Sequence, residues 1–288
     1  MSADHQGVSD NDRRSNVGDI VGEETTKEKI DYICTMNEEI ANALAEIDEL
    51  KERLSKLRPL PEDALRKIQE AWDIENTYES NRIEGNTLTL QETALVVNEG
   101  VTVAGKSMRE HLEAINHVEA IEYIKDIAKS DEEITERTIK DIHAIILRGI
   151  NRHEAGVYRS VPVVITGSTH IPPQPYMIQP KMEQFMETFR QMEADNVHPV
   201  LIAAYLHDEL VKIHPFIDGN GRTSRLLMNL YLLRHGYTLV TLKGNDEARI
   251  AYYSALESSH VDDSPEDFQL FIIEAEKQSL MRYLSLLE

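Results

Sequence analysis

The chain has 288 residues, enough for one large domain or two modest ones. Its 30 basic side chains stand against 51 acidic ones, a formal charge of −21 that repels nucleic acid phosphates and anionic membrane surfaces alike. The single cysteine, Cys34, excludes an intramolecular disulfide framework and a cysteine-built zinc site, and no apolar run reaches the roughly 20 residues of a membrane-spanning helix. With 41% hydrophobic residues there is material for a real core. The first residues lack the apolar stretch of a signal peptide, so the expectation is a soluble, cytoplasmic protein with neither a nucleic acid nor a membrane partner.

Residues 1–25 are polar, rich in Asp, Ser and Gly, and predict a disordered tail. Over 26–58 the apolar residues Ile33, Met36, Ile40, Ala43, Ile47, Leu50, Leu54 and Leu57 recur at steps of three and four. That stripe is either an amphipathic helix packed on its own core or a coiled-coil seam. Arg58-Pro59-Leu60-Pro61 ends it, and Pro61 suits the first turn of a helix through Leu65, Ile68 and Trp72 towards Ile83. Gly85-Asn86 stops that helix. Helices follow over 89–100 and 107–130, the second with Leu112, Ile115, Val118, Ile121 and Ile124 as its buried stripe. Another starts near Thr135 and carries Ile139, Ile142, Ile145 and Ile146.

The helical period then breaks. Residues 161–166, VPVVIT, are β-branched, and Ile171-Pro172-Pro173 cannot be helical, so 160–180 reads as a small hairpin or extended flap. Helical pattern resumes over 181–193, 198–213, 222–235, 246–259 and 265–287. The predicted class is mainly α with one small β element.

The chemistry concentrates in twelve residues, His214-Pro215-Phe216-Ile217-Asp218-Gly219-Asn220-Gly221-Arg222-Thr223-Ser224-Arg225, a glycine-bearing loop that opens a helix. His214 is the side chain best suited to move a proton near neutral pH. Asp218 is a carboxylate suited to Mg²⁺. Gly219 and Gly221 let bare backbone approach a ligand, and Asn220 holds such a turn or donates from its amide. Amides at a helix N-terminus bind anions, and Arg222 and Arg225, three apart, share one helix face and can grip phosphates. A turn alone would explain Asp-Gly-Asn-Gly, and a structural histidine would explain His214; the whole set between two helices fits a polyphosphate and a nucleophile awaiting deprotonation. No Walker A glycine loop is present.

HPFIDGNGRTSR resembles the HxFx(D/E)GNGRxxR signature of the Fic (filamentation induced by cAMP) family, with every fixed position present. The likeness extends over about residues 60–275, through Gly156-Val157-Tyr158-Arg159, the segment 163–173 and His198-Pro199. It implies an α-helical fold that transfers AMP from ATP, with Mg²⁺, to a Ser, Thr or Tyr hydroxyl of a target protein or of itself. His214 would be the general base, Asp218 the Mg²⁺ ligand, and Gly219, Asn220 and Gly221 the anion-binding loop. Arg222 and Arg225 would hold the distal phosphates, with Thr223 and Ser224 in the same phosphate-binding segment. Ile165, Thr166, Gly167, Ser168, Thr169 and His170 would form a flap that docks the target as an added strand. Tyr252 and Tyr253 resemble the pair lining the nucleoside pocket; where relatives often carry Asn seven residues later, this chain has His260.

Ser80-Asn81-Arg82-Ile83-Glu84-Gly85 resembles the family's inhibitory motif, (S/T)xxxE(G/N). Ser80 and Glu84 share a helix face. Glu84 paired with Arg225 would take the place of the γ-phosphate; a surface carboxylate beside a C-cap glycine is the plainer alternative. The predicted layout is a tail over 1–25, the striped helix over 26–58, a helical region with the inhibitory motif over 59–130, a catalytic core over 131–275, and the end of the last helix over 276–288. Two other readings stay open: a de-AMPylase or bifunctional enzyme at the same site, in which Glu84 positions a water, and a non-enzymatic helical adaptor. The stripe and the habit of the family point to a homodimer.

Overall fold

A computed structural model describes residues 38–57 and 62–287, including every side chain in those spans except those of 62–65. The expected tail, the stripe residues Ile33 and Met36, Cys34 and the Pro59–Pro61 break lie outside these residues. Contacts divide the chain into residues 1–41 and 42–288; the site and every element below except residues 38–41 of the first helix lie in the second unit. Among the described residues ten α-helices run in chain order: α1 (38–56), α2 (Glu62–Ile83), α3 (Leu90–Glu99), α4 (Met108–Lys129), α5 (Glu136–Ile146), α6 (Ile178–Ala194), α7 (Pro199–Ile213), α8 (Asn220–Arg234), α9 (Asp246–Val261) and α10 (Glu266–Leu287). None of the described helices is long and apolar enough to cross a membrane.

Capping chemistry fixes several of these boundaries. Thr89, Ser107 and Thr135 each accept a hydrogen bond from the backbone N–H three residues on, and the side chains of Glu92, Glu110 and Thr138 reach back to the cap backbone. Gly85 and Gly100 take the left-handed conformation that ends α2 and α3. In α1, Ile47 and Leu54 are fully buried within this one chain, so the stripe from 42 onward is an internally packed face. It is not free to serve as a coiled-coil seam, and that ground for a homodimer is gone. Asp48 on the same helix accepts a hydrogen bond from Tyr237 Oη at 3.0 Å.

Two expectations need correction. No strand ladder forms among the described residues, so the hairpin of 160–180 is absent: the segment is extended and irregular, turns at Gly167 (φ +86°), and ends in a 3₁₀ turn, Pro175–Met177. Pro162, Pro172 and Pro173 have no N–H to donate, which denies the segment a regular ladder. The stripe assigned to α4 holds only in its second half. Towards its N-terminus the buried positions are His111, Glu113, Ala114, Asn116 and His117, with Leu112, Ile115 and Val118 only partly covered. The polar face is buried because its side chains find polar partners there: Glu113 meets Arg222 of α8, His117 meets Thr77 of α2, and Asn116 donates to the Ile146 and Arg148 carbonyls.

Helix α8 is the centre of the molecule, touching α2, α4, α5 and α7. Residues 222–232 of α8 are all buried, arginines included. α9 and α10 close the far side of α7. On α10 Glu276 is fully buried, with Oε1 accepting from Thr238 N (3.0 Å) and Oγ1 (2.8 Å) and no hydrogen-bond partner for Oε2. Burial pushes this carboxyl up to about 8, against the Thr238 hydrogen bonds that lower it. Between an ordinary carboxyl value and about 8, the folded state keeps a proton the unfolded chain has released, so folding stability falls as pH rises through that window. Glu276→Gln is expected to flatten this dependence, melting above wild type at pH 8 and closer to it at pH 5; thermal melts at the two pH values check it.

Candidate active site

α7 ends at His214, which adopts φ 50°, ψ 58°, a left-handed conformation unusual for a residue with a side chain. This turn aims the chain into the 215–219 loop. Nδ1 of His214 lies 3.2 Å from the Val211 carbonyl, so it carries the ring proton and donates, leaving Nε2 with a free lone pair. Burial, and then the nearby Arg159 charge, push the ring down to about 4, against the opposing pull of Val211 and Glu84. The imidazole is therefore neutral at pH 7 and able to accept a proton.

Three side chains hold the loop. The Asn220 amide accepts from Phe216 N and donates to Phe216 O, both at 2.9 Å. Gly156 N donates to Nδ1 of His143 at 2.9 Å, so Nε2 of that ring donates to the Asp218 carbonyl at 2.9 Å; the ring also stacks on Phe216 with centroids 3.6 Å apart. Arg159 donates to three carbonyls, of His214 (2.7 Å), Val161 (3.1 Å) and Pro173 (2.6 Å), suturing the loop to both ends of the flap. His143 and Arg159 are loop-holding residues that no local pattern in the sequence marks. Their partners lie 75 and 55 residues away, and no local spacing signals such contacts.

α8 begins at Asn220, two residues earlier than its apolar pattern indicates, so Gly221 sits in its first turn. A Cβ placed on Gly221 would stand 2.4 Å from Glu84 Oε1 and 3.0 Å from Arg225 Nη1. Any larger residue there would have to push the Glu84 carboxylate off its seat. Glu84, just past the end of α2, puts its carboxylate 2.6 Å from Arg225 Nη2. Arg225 is buried and also donates to Ser80 Oγ (2.9 Å), the Ser80 carbonyl (3.0 Å) and Tyr252 Oη (3.4 Å). Ser80, in the last turn of α2, and Glu84, just beyond it, thus converge on one guanidinium, that of Arg225. Gly85 follows at φ +90°, a conformation that favours glycine.

Arg222 is buried to 1% exposure. Its Nη2 donates to Asp218 Oδ1 at 3.2 Å, while Nε and Nη1 find no hydrogen-bond partner, although Glu113 lies 3.4 Å from Nη1. Buried N–H groups without acceptors are costly, and the Glu113 carboxylate beside Nη1 offsets part of that cost. Thr223 and Ser224, the next two residues, are fully buried, Ser224 Oγ donating back to the Gly221 carbonyl. His117, fully buried beside both arginines, is held down to about 3 by burial and by those charges, so it adds no further cation.

Tyr252 is buried, with Oη against His207 Nε2 (3.0 Å); Tyr253 is half exposed and donates to the Ile83 carbonyl (3.3 Å). The two rings lie 5.3 Å apart. His260 turns away from them to pair with Asp208 Oδ1 at 2.8 Å. In the flap, Glu257 of α9 accepts from Ser168 Oγ and from Thr169 N (2.8 Å) and Oγ1. His170 Nε2 lies 2.8 Å from the Lys212 carbonyl, two residues before His214. Ile165 is half-buried, while its neighbours Val164 and Thr166 are exposed. Flap and base are thereby fixed relative to each other.

Among the described residues no group of three or more His, Cys, Asp or Glu side chains is placed to cage a metal ion. The donor set suits Mg²⁺ held by one carboxylate, with phosphate and water oxygens completing the shell. Asp218 fits that role: burial raises its carboxyl, but Arg222, Arg109 and the Gly219 N–H outweigh it and keep the group ionised.

Fold and site together define a helical protein that sets two buried arginines and a helix N-terminus beside a histidine pushed towards its neutral form. The Fic/DOC family model matches residues 133–232. Protein adenylyltransferase Fic of Nematostella vectensis is 37% identical over 244 residues, 83% of this chain and 56% of that protein. The corresponding protein of Drosophila grimshawi is 36% identical over 241 residues, 84% of this chain and 49% of that one. The chain thus spans about half the length of these curated relatives. Among solved structures, Fic-1 of C. elegans superposes with a TM-score of 0.77 at 27% identity, covering 93% of this chain and 76% of that one. A Fic domain-containing signaling protein of Bacteroides thetaiotaomicron gives 0.76 at 27% identity, over 82% and 94%. The chain belongs to the Fic/DOC family.

Proposed function

We propose that this protein is a protein adenylyltransferase that transfers AMP from ATP to a Ser, Thr or Tyr hydroxyl of a target protein, and that Glu84 holds it in an inhibited state. The observation that carries the reading is the Glu84 carboxylate seated on Arg225 above Gly221. An anion already stands where a helix N-terminus and a buried guanidinium are built to bind one.

The target hydroxyl gives its proton to His214 Nε2 as its oxygen attacks the α-phosphorus of ATP. A new P–O bond forms, the bond to the β-phosphate oxygen breaks, and pyrophosphate leaves. Arg222, through its unsatisfied N–H groups, and Arg225 hold the distal phosphates, and the first amides of α8 face the developing charge. Asp218 would hold Mg²⁺, which when bound neutralises phosphate charge. The flap, pinned by Glu257 and Arg159, offers its outer edge to the target main chain and sets the hydroxyl beside His214. This reading is supported by adenylyltransferase relatives at 36–37% identity.

Glu84→Gly protein incubated with Mg²⁺ and either α- or γ-labelled ATP tests the reaction, with self-labelling as readout. Label from the α position alone is expected. Label from the γ position would mean phosphate transfer and would overturn the proposal, as would no label from either.

A further inference from the structure

We propose that Arg109 is a resident cation for Asp218, covering in the resting protein the carboxylate oxygen a divalent ion would take. The inference deepens the reading of Asp218 as the metal carboxylate. Oδ1 of Asp218 is committed to the loop, accepting from Gly219 N (2.6 Å) and Arg222 Nη2 (3.2 Å). Oδ2 is the oxygen left for a ligand, and Nη2 of Arg109 is in direct contact with it. Arg109 comes from the first turn of α4, far from the 214–225 segment in sequence, so nothing in that segment announces it.

Two features suit Arg109 to leave. Its side chain is 56% exposed, so the guanidinium has water to move into. Its Nε donates to Glu113 Oε1 at 3.0 Å, a pivot that keeps the side chain paired once Nη2 lets go. Glu113, by contrast, is nearly buried and fixed: Oε2 accepts from Asn86 Nδ2 at 3.0 Å. Asn86 lies two residues after Glu84, and its amide is anchored further by the Glu110 carbonyl (3.1 Å) and by Leu88 N (3.0 Å). One polar network therefore joins the segment carrying Glu84 to the carboxylate meant for the metal.

The consequence is competitive. A guanidinium and a divalent ion cannot both sit on Oδ2, and their repulsion at a few ångströms is large in a partly buried site. An ion must displace Arg109, so the concentration it needs is set by how firmly Arg109 is held. ATP would then meet two obstacles in the resting protein, Glu84 on Arg225 and Arg109 on Asp218.

The test is binding of Mn²⁺ alone, followed by the electron paramagnetic resonance of the free ion, with neither nucleotide nor target. Arg109→Gln keeps much of the side chain's length and a donor for Glu113 but removes the charge. It is expected to bind Mn²⁺ at least about fivefold more tightly than wild type. Arg109→Lys, which keeps the charge, should stay near wild type. Adding Asp218→Asn to Arg109→Gln should erase the gain. Equal or weaker binding by Arg109→Gln overturns the proposal, as does a gain that survives Asp218→Asn, or no Asp218-dependent binding in any of the proteins. Circular dichroism on each variant confirms folding. Because the readout involves no ATP, a tightened Mn²⁺ site with no AMP transfer would fault the proposed activity and leave the role of Arg109 standing, and the converse pair of results would do the reverse.

Discussion

Glu84→Gly is expected to raise AMP transfer by about 10²-fold over wild type, the order of rate that a misplacement near 1 Å costs a reacting group. The argument starts from Arg225, whose guanidinium is buried with Ser80, Tyr252 and Glu84 around it. The first two are neutral, and Glu84 supplies the charge. A triphosphate entering this site brings its own anion to the same guanidinium. With the carboxylate 2.6 Å away, the γ-phosphate meets a like charge, and the whole nucleotide is shifted relative to His214. Glycine removes the obstacle at a position that lies beyond the last turn of α2, so no helix is broken.

The same substitution has a second expected effect with the opposite sign. Breaking a buried ion pair costs about 3–5 kcal/mol, and because Glu84 is a third exposed and Arg225 keeps Ser80 and Tyr252, about 1–3 kcal/mol is the expected loss here. That is a fall in Tm of several degrees, recovered when Mg²⁺-ATP supplies a new anion. Glu84→Gln, which keeps the shape but not the charge, should lie between the two in both measurements. Equal labelling of wild type and Glu84→Gly would sink the inhibitory reading while leaving the enzyme intact.

What could be read in the sequence divides along physical lines. Thr89, Ser107 and Thr135 gave helix starts to within a residue, because a cap is a local bond between neighbours in sequence. The 214–225 segment was legible for the same reason: base, carboxylate, glycines and arginines are contiguous. The polar half of α4 was misread because apolar periodicity assumes that the buried face is the apolar one, and here His111, Glu113, Asn116 and His117 are buried with polar partners on other segments, Glu113 beside Arg222 of the site. Glu113 and Arg109 were invisible as site residues, since their partners are Asp218 and Arg222 and only the packing of α4 on α8 brings them together. The flap failed as a hairpin because β-branched residues favour extension, but a ladder also needs a partner strand, and side chains of α9 and carbonyls of the 214–215 loop hold it instead.

In the Glu84→Gly background, replacing His214 should cost about 10²–10⁴ in transfer rate, the usual worth of a positioned general base. His214 sits at φ 50°, where alanine is strained, so loss in His214→Ala alone would confound folding with chemistry. Asn tolerates that conformation and cannot take a proton, which makes His214→Asn the cleaner variant. Its KM for ATP should stay near that of its parent, because the phosphates are held by Arg222, Arg225 and α8, none of which touches the imidazole. The pH profile gives an independent check. Burial and Arg159 push the ring down to about 4, and Glu84 opposes them, so in the Glu84→Gly protein the base should remain neutral at least that far into acid. The rate per bound substrate should hold from pH 7 down to about 5 and fall only near or below 4, well below the range of an exposed histidine. A fall centred near 6.5 would mean that the ring is solvated in the working enzyme, and transfer by His214→Asn within threefold of its parent would assign proton removal to another group.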